Sequence, residues 1–120
     1  MRYIAAVVLT LCSMIVSAED WSRADKGRQL AVGALQFIDC AQTRYAMKHG
    51  SFKEQNPVLG SHPSLGRINN ICAAAIVGHV FVSNALSPGW RAGFQYATIA
   101  IEGWVVIDHH RMGVTLGVLF

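Results

Sequence analysis

Three apolar stretches dominate this chain, and each carries one ionisable residue near its midpoint. Asp39 stands in QLAVGALQFIDCAQTRYA, His79 in INNICAAAIVGHVFVSNALS and Glu102 in AGFQYATIAIEGWVVIDH. Every stretch also has a polar stripe at helical spacing. Gln36, Asp39 and Thr43 share one face of the first. Cys72, His79 and Ser83 share one face of the second. Gln95, Glu102 and His109 recur every seven residues on the third, with Thr98 beside Glu102. The pattern predicts an all-α chain of three helices whose polar faces turn toward one another.

Punctuation between the stretches sets the expected boundaries. Ser22 followed by Asp25 has the form of a capping box and predicts a helix running to about Lys48, stopped by His49-Gly50. Residues 49–67 read as a loop, with Asn56-Pro57, Gly60, His62-Pro63 and Gly66 as breakers. The second helix is expected from near Ile68, capped by Asn69 or Asn70, to Ser87. Pro88-Gly89 reads as a tight turn, and Trp90 opens a third helix to about Asp108. The short connection predicts an antiparallel hairpin, tightened where Ala74-x-x-x-Gly78 and Gly93-x-x-x-Ala97 allow close approach. The tail 112–120, with Gly113-x-x-x-Gly117, extends the third helix or forms a short interfacial piece.

The first 18 residues differ in kind. Arg2, the apolar run Ile4 to Val16 and the Val16-Ser17-Ala18 site have the form of a secretory signal, removed to leave residues 19–120 as the mature domain. Cys12 follows Leu11, so a lipoprotein site is not expected. Cys40 and Cys72 then remain. An exported protein could oxidise them, but each lies within an apolar helix and reads as a free, buried small hydrophobe. No C-x-x-C or Cys/His zinc spacing is present.

Composition points to the membrane. Charged residues are 14% of the 120, against about a quarter in ordinary soluble domains. The second stretch has no Lys, Arg, Asp or Glu from Ile68 to Trp90, where a soluble bundle would carry a charged stripe. The expected fold is therefore a three-helix transmembrane bundle with spans at about 29–46, 68–87 and 91–108. Arg44, Lys48, Lys53 and Arg67 in the long loop, against Arg91 alone in the second turn, put that loop in the cytoplasm. The mature N-terminus is then outside a bacterial inner membrane and the C-terminus inside. Basic residues are scattered, with no interleaved aromatic run, so nucleic acid is not an expected partner. The lipid bilayer is, and a homo-oligomer is compatible with the pattern.

A charge at the centre of a span costs about 2.5–3.5 kcal/mol on insertion scales, so such residues face a bundle interior, a partner or water. Asp39, His79 and Glu102 are expected at one depth. Two carboxylates and an imidazole suit a divalent metal, a proton relay or a purely structural ion-pair network. Gln36, Thr43, Arg44, Ser83, Gln95 and His109 could support the cluster, as could Glu54 and Asn56 in the loop, with Glu54 meeting Arg44 at the bundle's mouth. Ser83, one turn from His79, permits a nucleophilic reading, but no local signature such as G-x-S-x-G accompanies it.

The order D-x-x-Q-T-R (Asp39 to Arg44), E-x-N-P-x-L-G (Glu54 to Gly60) and H-P-S (His62 to Ser64) resembles small multi-span membrane proteins of phages, prophages and bacteria. The likeness continues through His79, Trp90-Arg91 and Ile101-Glu102. It implies an Asp/Thr helix, an E-x-N-P turn and two further apolar helices, and brings no activity with it. The expected role is a non-enzymatic membrane component with an intramembrane polar site. A holin-like pore former and a membrane-embedded metal-dependent hydrolase are the alternatives.

Overall fold

A computed structural model describes residues 20–49 and 57–116, together with residues 6, 9, 10 and 13. Most of the first 18 residues, where a signal was expected, and Glu54 and Asn56, lie outside the described residues. The described chain is all-helical: α1 (Arg23–Lys48), α2 (Leu65–Ala85) and α3 (Pro88–Arg111).

Each helix end has a local cause. The capping box at the start of α1 forms as expected. Ser22 Oγ accepts from the Asp25 N–H at 3.0 Å, and the Asp25 carboxylate accepts from the Ser22 N–H at 2.9 Å. Helix α2 starts at Leu65, before the expected Ile68, because Ser64 rather than an asparagine caps it, its hydroxyl accepting from Arg67 N–H at 3.1 Å. It ends at Ala85, short of the expected Ser87. Ser87 is extended, as residues before proline usually are, and Pro88 is already the first residue of α3. The connection is thus Leu86-Ser87, and Pro88-Gly89 belongs to the helix.

Helix α3 runs past the expected Asp108. His109, His110 and Arg111 form its last turn, where positive charge suits the C-terminal dipole. Gly113 then adopts a left-handed φ of +81°; its N–H bonds His110 O, and Val114 N–H bonds His109 O. This is a Schellman stop, with Val114 buried as its apolar contact. The described part of the tail, residues 112–116, therefore does not continue the helix.

The packing differs from a simple hairpin. Helix α1 is the central element, lying against both α2 and α3, while α2 and α3 touch each other little. Helices α1 and α3 run parallel, as Gln29 to Gln95 and Gln42 to Val106 contacts show. The expected close approach at Gly78 and Gly93 is not made: a Cβ added at either would meet nothing within 4 Å. Small residues in these motifs face outward instead of into the partner helix.

A covalent tie joins α1 to α2. Cys40 and Cys72 form a disulfide, with Cα atoms 6.2 Å apart, and are not the free thiols expected. Helical periodicity places each cysteine on its own helix; only the packing of α1 on α2 brings the two within bonding range.

The distribution of side chains is inverted relative to a water-soluble bundle. Asp25, Gln29, Gln36, Gln42, Thr43, His79, Ser83, Arg91 and Gln95 are buried. Phe81, Trp90, Tyr96, Ile101, Trp104 and Ile107 are at least half exposed. Among the described residues, one helix, α2, is long and apolar enough to cross a membrane by length and composition, and little of it is buried against the rest of the protein.

Candidate functional site

The polar interior divides into two clusters along α1. The first surrounds His79, near the α2–α3 connection. Gln29 Nε2 of α1 lies 3.0 Å from His79 Nδ1, and Gln29 Oε1 accepts from Ser83 Oγ at 3.1 Å and from Gln95 Nε2 at 3.2 Å. His79 Nε2 lies 3.0 Å from Thr98 Oγ1, whose own proton goes to the Phe94 carbonyl. His79 Nδ1 also lies 3.1 Å from Gln29 Oε1, so both ring nitrogens have partners on α1 and α3. The Phe94 ring stacks on it at 4.3 Å between centroids.

The cluster continues outward to the start of α1. Gln95 Nε2 also reaches Asp25 O, and its Oε1 accepts from Arg28 Nε at 3.0 Å. Arg28 pairs with Asp25, and Arg91 Nη1 stands 3.5 Å from the same carboxylate. Arg91 is 3% exposed and donates to the carbonyls of Ser83, Leu86 and Asp20, with the Trp21 ring 5.1 Å from its guanidinium carbon. Burial works to raise the Asp25 carboxyl. The Ser22 hydroxyl and N–H and the Arg28 guanidinium outweigh it and hold Asp25 below its ordinary value. Nearly every polar group in this cluster has a partner, which is the condition under which a buried network rigidifies a fold.

The second cluster lies farther along α1, toward the long loop. Asp39 Oδ1 faces His109 Nδ1 at 3.3 Å. Gln36 and Gln42 flank Asp39 at spacings of three residues, so the three follow one face of α1. Gln42 donates through Nε2 to Val106 O at 3.2 Å, which fixes the orientation of its amide. Its Oε1, and Oε1 of Gln36, are buried and accept no hydrogen bond from any described residue.

The three midpoint residues thus do not share one site. Asp39 faces His109 in the second cluster, and His79 belongs to the first with Gln29 and Thr98. Depth along separate helices is readable from residue counts, but the rotation of each helix about its axis is not. Helix α2 turns His79 toward Gln29 and the start of α3. No group of three or more His, Cys, Asp or Glu able to hold a metal is found among the described residues. A divalent site built on Asp39, His79 and Glu102 has no geometric basis.

Other expected residues are placed as follows. Ser83 and Gln95 join His79, and His109 joins Asp39. Thr43 is buried on α1. Arg44 bonds Asn69 Oδ1 on α2, and the expected contact with Glu54 lies outside the described residues. Ser83 Oγ lies 3.3 Å from His79 Nδ1, yet Ser83 is wholly buried and its proton points to Gln29. Asp39 does not orient the imidazole. Sequence reading missed Gln29, Asp25, Arg28 and Arg91 as interior groups. Their positions at i, i+3 and i+4 on α1, and the absence of acidic residues near Arg91 on α3, were the available signals.

No known family model, curated protein or solved structure matches the chain.

Proposed function

We propose that this is a small integral membrane protein of non-enzymatic function, whose three helices shield an interior polar site from lipid. One observation carries the reading: polar side chains are inside and large apolar ones outside. In water that arrangement would expose apolar surface and bury polar groups, both unfavourable. In a bilayer the same distribution is what the solvent demands. Helix α2, at 21 residues, is about 31 Å long, close to the hydrocarbon thickness of about 30 Å.

The signal-like first 18 residues and the loop charges support an outside mature N-terminus and a cytoplasmic long loop. The Cys40–Cys72 bond bears on this directly. It lies about two turns from the long loop, on the side this orientation turns toward a reducing compartment. A thiol-trapping experiment in intact cells therefore tests orientation: a bond retained in cells reverses it, and a dithiol supports it.

The test of the main reading is alkaline carbonate extraction of membranes from expressing cells. Retention in the pellet is expected. Release into the supernatant with the disulfide intact would instead make this an exported helical protein whose apolar faces are covered by a partner chain. A hydrolytic role is disfavoured by the burial of Ser83 and by its hydrogen bond to Gln29. A pore former is distinguished by abrupt loss of membrane potential on expression, which the compact, satisfied first cluster does not lead us to expect.

A further inference from the structure

We infer that the Cys40–Cys72 bond is a redox latch. Oxidised, it holds the loop-proximal half of α2 to α1; reduced by a small dithiol, it releases that half. The inference rests on the orientation proposed above and adds to it a switch between two states of α2.

Two observations conflict unless the bond is exchangeable. Arg44, Lys48, Lys53 and Arg67 turn the long loop toward a reducing compartment. The bond ties α1 to α2 about two turns from that loop. A permanent cystine does not persist on that side, where disulfides are usually transient and redox-sensing. Exchange also needs access to sulfur, and Cys40 and Cys72 are both half-buried, not sealed in the interior.

The packing of α2 shows what the bond controls. Helix α2 lies on α1 and touches α3 little. Its far half is held twice over. His79 and Ser83 bond Gln29, and Ile76, Val77 and Val80 pack with Trp21. Nearer the loop the hold is thinner. Ile68 is buried, but no residue from Asn69 to Gly78 is. There the disulfide and the Arg44 bond to Asn69 tie the helix to α1. Opening one covalent bond therefore weakens one half of α2 and leaves the polar knot around His79 as a pivot.

The exchange balances in two steps. One thiolate of the dithiol attacks a cystine sulfur, the Cys40–Cys72 bond breaks and a mixed disulfide forms. The second thiolate then closes a cyclic disulfide on the reductant and leaves both cysteines as thiols. Two electrons and two protons pass to the protein. A disulfide oxidant reverses the reaction and is itself reduced to thiols.

The full chain, purified in detergent, provides the test. Spin labels are attached to ketone-bearing residues introduced at Lys48 and Asn70, near the loop, and in a second sample at Ala24 and Asn84, at the far end. This chemistry leaves the cysteines untouched. Interhelical distances are measured before dithiothreitol, after it, and again after oxidised glutathione. Reduction should lengthen and broaden the distance between positions 48 and 70, leave that between 24 and 84 unchanged, and reverse on reoxidation. Cys40→Ser with Cys72→Ser should give the longer distance with or without dithiothreitol. Should that variant fail to fold, the wild-type cysteines decide. An unchanged loop-end distance after full reduction overturns the proposal, as does lengthening at both ends, or a bond that dithiothreitol does not open in the folded chain. Orientation is read separately, by thiol trapping in intact cells, so its failure is distinguishable from failure of the latch.

Discussion

At the scale of single residues, the start of α1 concentrates the most demanding interactions. Ser22 supplies both a cap and a partner for Asp25. Ser22→Ala should cost about 1 kcal/mol of stability, read by denaturant unfolding in detergent. Arg91 carries more, because it is buried and answers three carbonyls as well as the Asp25 carboxylate. Arg91→Met should destabilise by about 3 kcal/mol, since it strands acceptors out of reach of water. Asp25 adds a pH dependence whose sign follows from its lowered pKa. Its contribution is complete above the ordinary value of 3.8 and is lost as pH falls through the lower, folded-state value. Melting temperature should fall on acidification below about pH 4, and Asp25→Asn should flatten that part of the profile. An unchanged acid limb in the variant would remove Asp25 from the account.

At the scale of elements, the cystine and the glycines make opposite contributions. The disulfide closes a loop with a sequence separation of 32. Chain entropy alone would then give it about 3–4 kcal/mol in the oxidised protein. Reduction, or Cys40→Ala with Cys72→Ala, should lower the melting temperature while leaving the helical circular dichroism in place. The glycines of α2 and α3 are not packing contacts within the molecule, since open space surrounds Gly78 and Gly93. Gly93→Ala should therefore raise stability by up to about 1 kcal/mol through helix propensity. A loss of stability on that substitution would mean that another helix lies against this face in the assembled protein.

At the scale of the whole molecule, the outward side of α3 is the surface to challenge. Ile101 and Trp104 are about two-thirds exposed. If lipid covers them, a charge there must be drawn to the interface or pay for insertion. Ile101→Arg should reduce membrane integration by about 2.5–3.5 kcal/mol on insertion scales, measured as the fraction resisting carbonate. The same substitution on a water-facing surface would be nearly silent.

The legible part of the sequence was local. Helix number, the Ser22–Asp25 capping box and the end of α1 at Lys48 follow from capping chemistry and hydrophobic period, which act over a few residues. The polar stripes were equally visible, and with them the expectation that ionisable side chains turn inward. What the stripes face was decided by tertiary packing. Asp39 and His79 stand at similar depths by residue count, yet the rotation of α2 sends His79 to Gln29, and α1 brings Asp39 to His109. Cys40 and Cys72 read as two small hydrophobes until α1 packs on α2. Gly78 and Gly93 read as a helix interface until α1, and not α2 against α3, becomes the centre of the bundle. The physical reason is common to all three cases. Period and capping specify which face of a helix is polar and where the helix stops, whereas partner choice depends on the relative placement of whole helices, a property of contacts far apart in the chain.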